Sequence, residues 1–333
     1  MFISESHFGG CGCRLKSQKT EECVLGFEEC SWATVAPFAV HKLPACHNCF
    51  KHLLPFSELV KVLSGQLSLE GTEIPEGRRE CMWCLFRLCA DCANESALKV
   101  HAVLCPRGES SRLKLTTELR KLGTRVSESI PMAASVSAAV SLRAEELGLS
   151  PDVCFEEYYN SDKYFGSHEC DTYQDNGYQI VANLLHQLPM ISETLYNKIV
   201  ATFDRTNLFI EVENFSMMSD LNHPIPGLDQ LKHMASEFSA ILPSNPDDFP
   251  IPVVVGSAHY PTVARLNHSC DPNLDWRSVN GSNTIELYTL RDISAGEELF
   301  ISYIDQSLPK PDRQALLKSL YGFNCRCLKC ENE

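Results

Sequence analysis

No apolar run in these 333 residues is long enough to cross a membrane. The opening MFISESHFGG lacks both the basic start and the greasy middle of a secretory signal. Together these absences predict an intracellular chain with no membrane partner. Positive charge is also scarce: 29 Lys and Arg against 43 Asp and Glu give a formal net charge of -14. That balance argues against a general nucleic-acid binder, because phosphate contacts need a basic face. With no dense basic cluster, residence in the nucleus, the cytoplasm or both stays open. An acidic surface suits a basic protein substrate and equally serves solubility. Internal repeats, low-complexity tracts and any independent signal for a hydrolytic nucleophile are missing as well.

Cysteine, by contrast, is abundant, with 17 residues. A reducing compartment disfavours disulfides, so paired thiols are read first as metal ligands, and zinc is the leading metal. The candidates run Cys46-x2-Cys49, Cys81-x2-Cys84, Cys89-x2-Cys92 and His101-x3-Cys105. Each pair places two soft ligands on one turn of backbone, and tetrahedral zinc takes four, so these pairs fill two closed structural sites. Burial as ordinary apolar thiols is the competing account, which the pairing disfavours. At the other end, NCRCLKC offers Cys325, Cys327 and Cys330, one thiolate short of a closed site. Cys270, in RLNHSCDPN, can supply the fourth and would order the C-terminal tail through the metal.

At 333 residues, 44% of them hydrophobic, the chain should build two or three packed units. Residues 22–35 read as early strands. Residues 107–243 carry helical spacing in SVSAAVSLRAEELG, YQIVANLLHQL, SETLYNKIVATF and GLDQLKHMASEFSAIL. After the turn-rich LPSNPDDFPIP, strand character returns in IPVVVG, NTIELYTL and ELFISY, and DRQALLKSLYG is a helix following Pro311.

Taken in order, GGCGCR at residues 9–14, the thiol pairs, YPTVARLNHSCDPN from Tyr260, RDISAGEELFISYID from Arg291 and the cysteine tail resemble the SET-domain protein lysine methyltransferases. With the inserted finger, the similarity is to their SET-and-MYND group. The resemblance implies an α+β fold: a mostly β SET core with knot-like threading, a MYND-type finger, a helical insertion and a post-SET zinc tail. It divides the chain into residues 1–44 and 251–305 for the SET core, 45–106 for the finger, 107–250 for the insertion and 306–333 for the tail. It also implies that the finger's pairs interleave, with Cys46, Cys49, Cys89 and Cys92 in one zinc site and Cys81, Cys84, His101 and Cys105 in the other. Two departures from the group's pattern stand out: residues 50–80 separate the first two pairs, and the third pair has two intervening residues rather than three. His47 and His52 therefore stand as alternatives to Cys92. The sequence runs only three residues past Cys330, so the long helical C-terminal domain of many members is expected to be missing.

Methyl transfer to an amine is an in-line displacement that needs positioning, desolvation and a neutral nitrogen. A lysine ammonium buried beside a sulfonium loses its proton more easily, through desolvation and like-charge repulsion together. Tyrosine suits the channel, because its ring walls the aliphatic stem and its hydroxyl can meet the amine. The resemblance assigns Tyr303 and Tyr321 to the active site and Phe215 to the lysine channel. It gives S-adenosyl-L-methionine contacts to Gly10, Cys11, Gly12, Asn267, His268, Tyr303 and Phe323, with Ser269 and Asp271 shaping the turn before Pro272. The expected enzyme is a monomer acting on a lysine of a histone or another protein, with zinc held in three structural sites. The alternative expectation is a catalytically weak SET scaffold whose finger binds peptide segments of partner proteins.

Overall fold

The structure, a computed structural model, describes residues 2–5, 11–36, 44–54, 79–84, 86–159, 176–213, 253–279 and 281–333. Strands β1 (Phe2–Glu5), β2 (Cys11–Arg14), β3 (Val24–Glu28) and β4 (Trp32–Val35) come first, then the short pair β5 (Arg79–Glu80) and β6 (Arg87–Leu88). Helices α1 (Glu95–Leu104), α2 (Ser110–Arg125), α3 (Ser129–Leu147), α4 (Pro151–Tyr159), α5 (Gly177–Leu184) and α6 (Glu193–Thr206) follow. The chain then returns to strands, β7 (Asn207–Glu213), β8 (Val253–His259), β9 (Asn267–His268), β10 (Leu274–Val279), β11 (Thr284–Thr289) and β12 (Phe300–Ile301). It closes with α7 (Lys310–Tyr321) and α8 (Leu328–Asn332).

The helices obey the sequence signals that start and stop them. Asn94 caps α1 by accepting the Ala97 N–H at 2.9 Å, and Ser192 caps α6 by accepting the Leu195 N–H at 3.2 Å. α6 then buries Leu195, Tyr196, Ile199, Val200 and Phe203, a stripe at helical spacing. Helix α3 is rich in small residues, with Ala133, Ala134, Ser137 and Ala138 fully buried. This slim helix sits at the middle of the helical layer, packed against α1, α2, α4 and α6. α7 begins at a proline pair that needs no N–H donors and ends at Gly322, whose φ of 80° closes the helix.

The expected helical stretch over 107–250 is interrupted. Residues 207–213 form β7 and pair antiparallel along the whole of β8. The cause is local: Ile210 and Val212 are buried while Phe209 and Glu211 face out, a period of two that helix spacing cannot produce. The segment GLDQLKHMASEFSAIL lies outside the described residues.

Two three-stranded sheets, β4-β8-β7 and β10-β11-β3, contribute to a second core, distinct from that of the helical layer, that includes Val35, Ile210, Tyr260, Leu266, Leu287 and Ile301. The cysteine-rich segment seats directly on it. Phe50 is fully buried in this core, and the Asn283 side chain donates to the Asn48 carbonyl at 2.7 Å. Gly256 in β8 makes room: a Cβ there would meet the Thr34 carbonyl oxygen and come 2.6 Å from the Phe50 ring. Glycine is used here because two neighbours approach its backbone closely.

Candidate functional site

Three groups of four ligand atoms converge, each group within 4.8 Å: Cys46, Cys49, Cys89 and Cys92; Cys81, Cys84, His101 and Cys105; and Cys270, Cys325, Cys327 and Cys330. Their spacing tests the fit of a metal. A zinc–sulfur bond of about 2.3 Å in a tetrahedron puts sulfurs about 3.8 Å apart. Observed separations are 3.7 Å for Cys49–Cys89, 3.5 Å for Cys81–Cys105 and 3.6 Å for Cys330–Cys270. The Cys84 sulfur lies 3.9 Å from His101 Nε2. None of the cysteines in these groups is in a disulfide: Cys46, Cys49, Cys81, Cys84, Cys89, Cys92, Cys105, Cys270, Cys325, Cys327 and Cys330 are all free. The sets therefore fit zinc.

Each group also has donors aimed at its sulfurs, as thiolate ligands require. Asn48 Nδ2 donates to Cys92 at 3.2 Å, the Trp83 N–H to Cys81 at 3.4 Å and the Cys327 N–H to Cys325 at 3.4 Å. Phe86 stacks on the His101 ring at 4.1 Å and fixes its plane. His47 is absent from the first group, because its Nδ1 accepts the Arg87 N–H at 3.0 Å. Burial holds that imidazole down at about 4, so it stays neutral. His52 is also absent and bridges Ala45 through its backbone.

The third group forms the floor of an aromatic centre. Tyr303, Ile304, Tyr321 and Phe323 pack against Cys270, Leu317, Cys325, Cys327 and Cys330. A two-residue parallel ladder, Phe300↔Asn267 and Ile301↔His268, lays the segment before Tyr303 beside the Asn-His strand. Upstream, the Leu299 N–H donates to the Cys13 carbonyl at 2.8 Å and Arg14 bridges Glu298, so β2 flanks the same segment. Residues distant in sequence thus meet at one place. Cys11 and Gly12 belong to β2, whereas Gly10 and Phe215 lie outside the described residues.

Within this centre the Tyr303 hydroxyl donates to the Leu266 carbonyl at 2.6 Å. Burial, with Tyr321 adding to it, pushes the Tyr303 phenol well above its ordinary value, so it stays protonated at neutral pH. The Tyr303 and Tyr321 rings lie 4.8 Å apart at 43°, and the Tyr321 hydroxyl donates to the Tyr303 carbonyl at 3.4 Å. His268 lies 5.3 Å from the Tyr303 ring and 6.0 Å from Phe323. Its Nδ1 accepts the Tyr303 N–H at 3.0 Å, and its Nε2 faces the Cys270 sulfur at 3.2 Å. Both ring nitrogens are therefore engaged inside the protein, leaving backbone and ring face for a guest. Asn267 is fixed by donating to Glu298 Oε1 at 2.8 Å.

Several residues of this centre carry no sequence signal of their own. Glu298, only 4% exposed, holds Asn267 and pairs with Arg14, yet in sequence it is one acid among others in GEEL. Arg313, 1% exposed, reaches Cys330 and Glu333, although a basic residue in a first helical turn ordinarily reads as solvated. A separate cavity of about 800 Å³ opens between β4, the cysteine-rich segment and helices α1 to α3, bounded by Trp32, Phe86, Val100 and Val140. It includes none of the aromatic centre.

Residues 157–304 match the SET domain family. Among curated proteins, the chain is 48% identical over 71 residues to SET domain and MYND-type zinc finger protein 6 of Schizosaccharomyces pombe, covering 21% of this chain and 14% of that protein. It is 41% identical over 78 residues to N-lysine methyltransferase SMYD2-B of Danio rerio, covering 23% of this chain and 17% of that protein. Histone-lysine N-methyltransferase ATXR2 of Arabidopsis thaliana is 33% identical over 148 residues, 42% of this chain and 30% of the relative. The chain thus spans less than a third of the length of each of these relatives.

Proposed function

From a chain that carries a SET domain and is similar to the SET-and-MYND methyltransferases, we propose an S-adenosylmethionine-dependent protein lysine methyltransferase acting on a histone or another protein. One observation carries the reading: the Tyr303 hydroxyl, bonded to the Leu266 carbonyl, sits where the Asn267–His268 strand, the four-sulfur tail, Tyr321 and Phe323 come together. A cluster of aromatic faces fits a guest that is part aromatic and part cationic, since ring faces attract sulfonium and ammonium alike. Bound there, S-adenosylmethionine would supply an activated methyl group. Asn267, His268, Phe323, Cys11 and Gly12, with Gly10 before them, are the residues that would hold it.

The chain's own residues then have defined tasks. Tyr321 and Tyr303 wall the lysine stem and exclude water, which lowers the amine pKa toward neutrality. The proton leaves the ammonium for solvent, because Tyr303, held protonated, cannot act as a base. Its O–H bond is spent on the Leu266 carbonyl, so its oxygen meets the amine through lone pairs and orients it for attack. Each of the three groups gathers four ligand atoms, which would fill the coordination of a tetrahedral ion. We assign them structural zinc and no part in the transfer.

The wider picture belongs to the same proposal: a monomer residing in the nucleus, the cytoplasm or both, with the domain limits given above. The parallel β9–β12 ladder and the reach of the tail back to Cys270 support a knot-like threading. Met82 and Trp83, 83% and 53% exposed on the knuckle between Cys81 and Cys84, support a peptide partner for the finger. The deciding experiment incubates zinc-replete protein with labelled cofactor and histone or lysate proteins, followed by mass spectrometry of lysine. Tyr303→Phe should still bind cofactor by calorimetry and lose transfer by 100-fold or so, in the range of a positioned catalytic group. A folded Tyr303→Phe protein with full activity would refute the role of the hydroxyl.

A further inference from the structure

The tail's sulfur cluster and the candidate catalytic tyrosine are joined through the side chain of His268. A neutral imidazole carries one N–H and one acceptor nitrogen. His268 Nδ1 must be the acceptor, because the Tyr303 backbone N–H points at it from 3.0 Å. The ring proton therefore sits on Nε2, and the group facing Nε2 is the Cys270 sulfur at 3.2 Å. The opposite tautomer would set two N–H groups against each other. His268 is 5% exposed, so water cannot readily replace either bond.

We infer that His268 is a positioning residue, a two-ended strut that donates to the metal-bound Cys270 thiolate and holds the backbone of Tyr303 by its other nitrogen. The inference rests on the tail binding zinc and on Tyr303 serving methyl transfer, as proposed above. It adds a coupling: the state of the tail's metal sets the place of the tyrosine. Arg313 adds a second buried donor to the cluster. It donates to Cys330 at 3.7 Å and is itself held by Glu333 and the Leu308 carbonyl. A four-thiolate zinc site carries a formal excess of two negative charges. Donors buried on two of its sulfurs spread that charge and orient the ligands. Of these two donors, His268 also bonds the aromatic centre, by accepting the Tyr303 N–H.

The two ends can be separated by substitution. Asparagine places its carbonyl oxygen near the position of Nδ1, whereas glutamine places its amide nitrogen near that of Nε2. In the full-length zinc protein, the tail pool is the one lost in a Cys330→Ser variant, and the finger's zinc serves as the control for folding. His268→Phe should release the tail zinc to a chelator about 10–100-fold faster than wild type. It should also lower kcat more than it raises KM. His268→Gln should restore slow zinc release without restoring kcat, and His268→Asn should recover kcat at least tenfold over His268→Phe while releasing zinc fast. A His268→Phe protein that keeps its tail zinc as wild type does would overturn the inference. So would Asn and Gln variants that both behave as Phe does. Wild-type protein without a Cys330-dependent zinc pool would instead overturn the metal assignment beneath it. Wild-type protein that holds the pool but transfers no methyl would overturn the functional reading, with the zinc-release arm still deciding the Cys270 end of the strut.

Discussion

Replacing Gly256 by alanine tests how the cysteine-rich segment is seated on the core. The added methyl would lie 2.6 and 2.9 Å from two carbons of the Phe50 ring and closer still to the Thr34 carbonyl. Ordinary contact begins near 3.4 Å, so about 1 Å of movement is needed. Neither neighbour can give way easily. Thr34 belongs to β4 and β8 is paired on both edges, with Gly256 opposite Val35 and Ile210. Phe50 is fully buried and holds a positive φ of 65°. Overpacking of this kind costs about 1–3 kcal/mol, which for a chain of this size lowers the midpoint by roughly 2–8 °C. Differential scanning fluorimetry at saturating zinc would measure it. Because the ring is one of the two obstacles, Phe50→Ala should soften the effect: the double variant should be less destabilised than the sum of the single ones. An unchanged Gly256→Ala melting curve, or strict additivity in the cycle, would show that Phe50 and β8 do not meet as described.

Acid should act on His259, which is 3% exposed, shares a hydrogen bond of 3.0 Å with Thr206 Oγ1 and is held down to about 4 by burial, with Arg265 contributing. The unfolded chain takes up this proton near 6.5 and the folded chain only near 4. Stability is therefore intact above 6.5 and falls as pH drops toward 4, by up to about 3 kcal/mol. His259→Asn keeps a polar partner for Thr206 Oγ1 and cannot charge, so the gap between its unfolding free energy and that of wild type should change with pH across this window; a constant gap refutes the assignment. Chelation of the tail, or Cys325→Ser, should expose residues 322–333 to limited proteolysis while the helical layer stays resistant, and a tail equally protected without metal would remove its clamping role.

Much of this molecule is legible in order of residues, and the reasons differ by region. Metal groups are easy because the chemistry fixes ligand type and spacing: Cys46-x2-Cys49 or Cys325-x-Cys327-x2-Cys330 has few other uses. Helices α3, α5 and α6 announce themselves by period, α6 also by its Ser192 cap, and α3 and α7 by their closing glycines. β7 hid inside a helical neighbourhood because NLFIEVE alternates over only seven residues directly after α6. The polar wiring was not legible at all. Whether the imidazole of His268 faces a guest or joins Cys270 to Tyr303 depends on a ladder between residues 267–268 and 300–301, and nothing local encodes that pairing. Arg313 is similar: its burial follows from where α7 packs, not from its neighbours in sequence.

The long loop closed by the tail has a consequence for biosynthesis. Cys330 lies 60 residues after Cys270, whereas Cys105 lies 24 after Cys81. At about 5–20 residues per second on the ribosome, Cys270 waits roughly 3–12 s for its last partner, and the finger pair only about 1–5 s. For that interval a nascent thiol beside the Asn-His strand has no finished partner set. On the reading proposed above, the thiols of the finger would all have been synthesised before those of the tail.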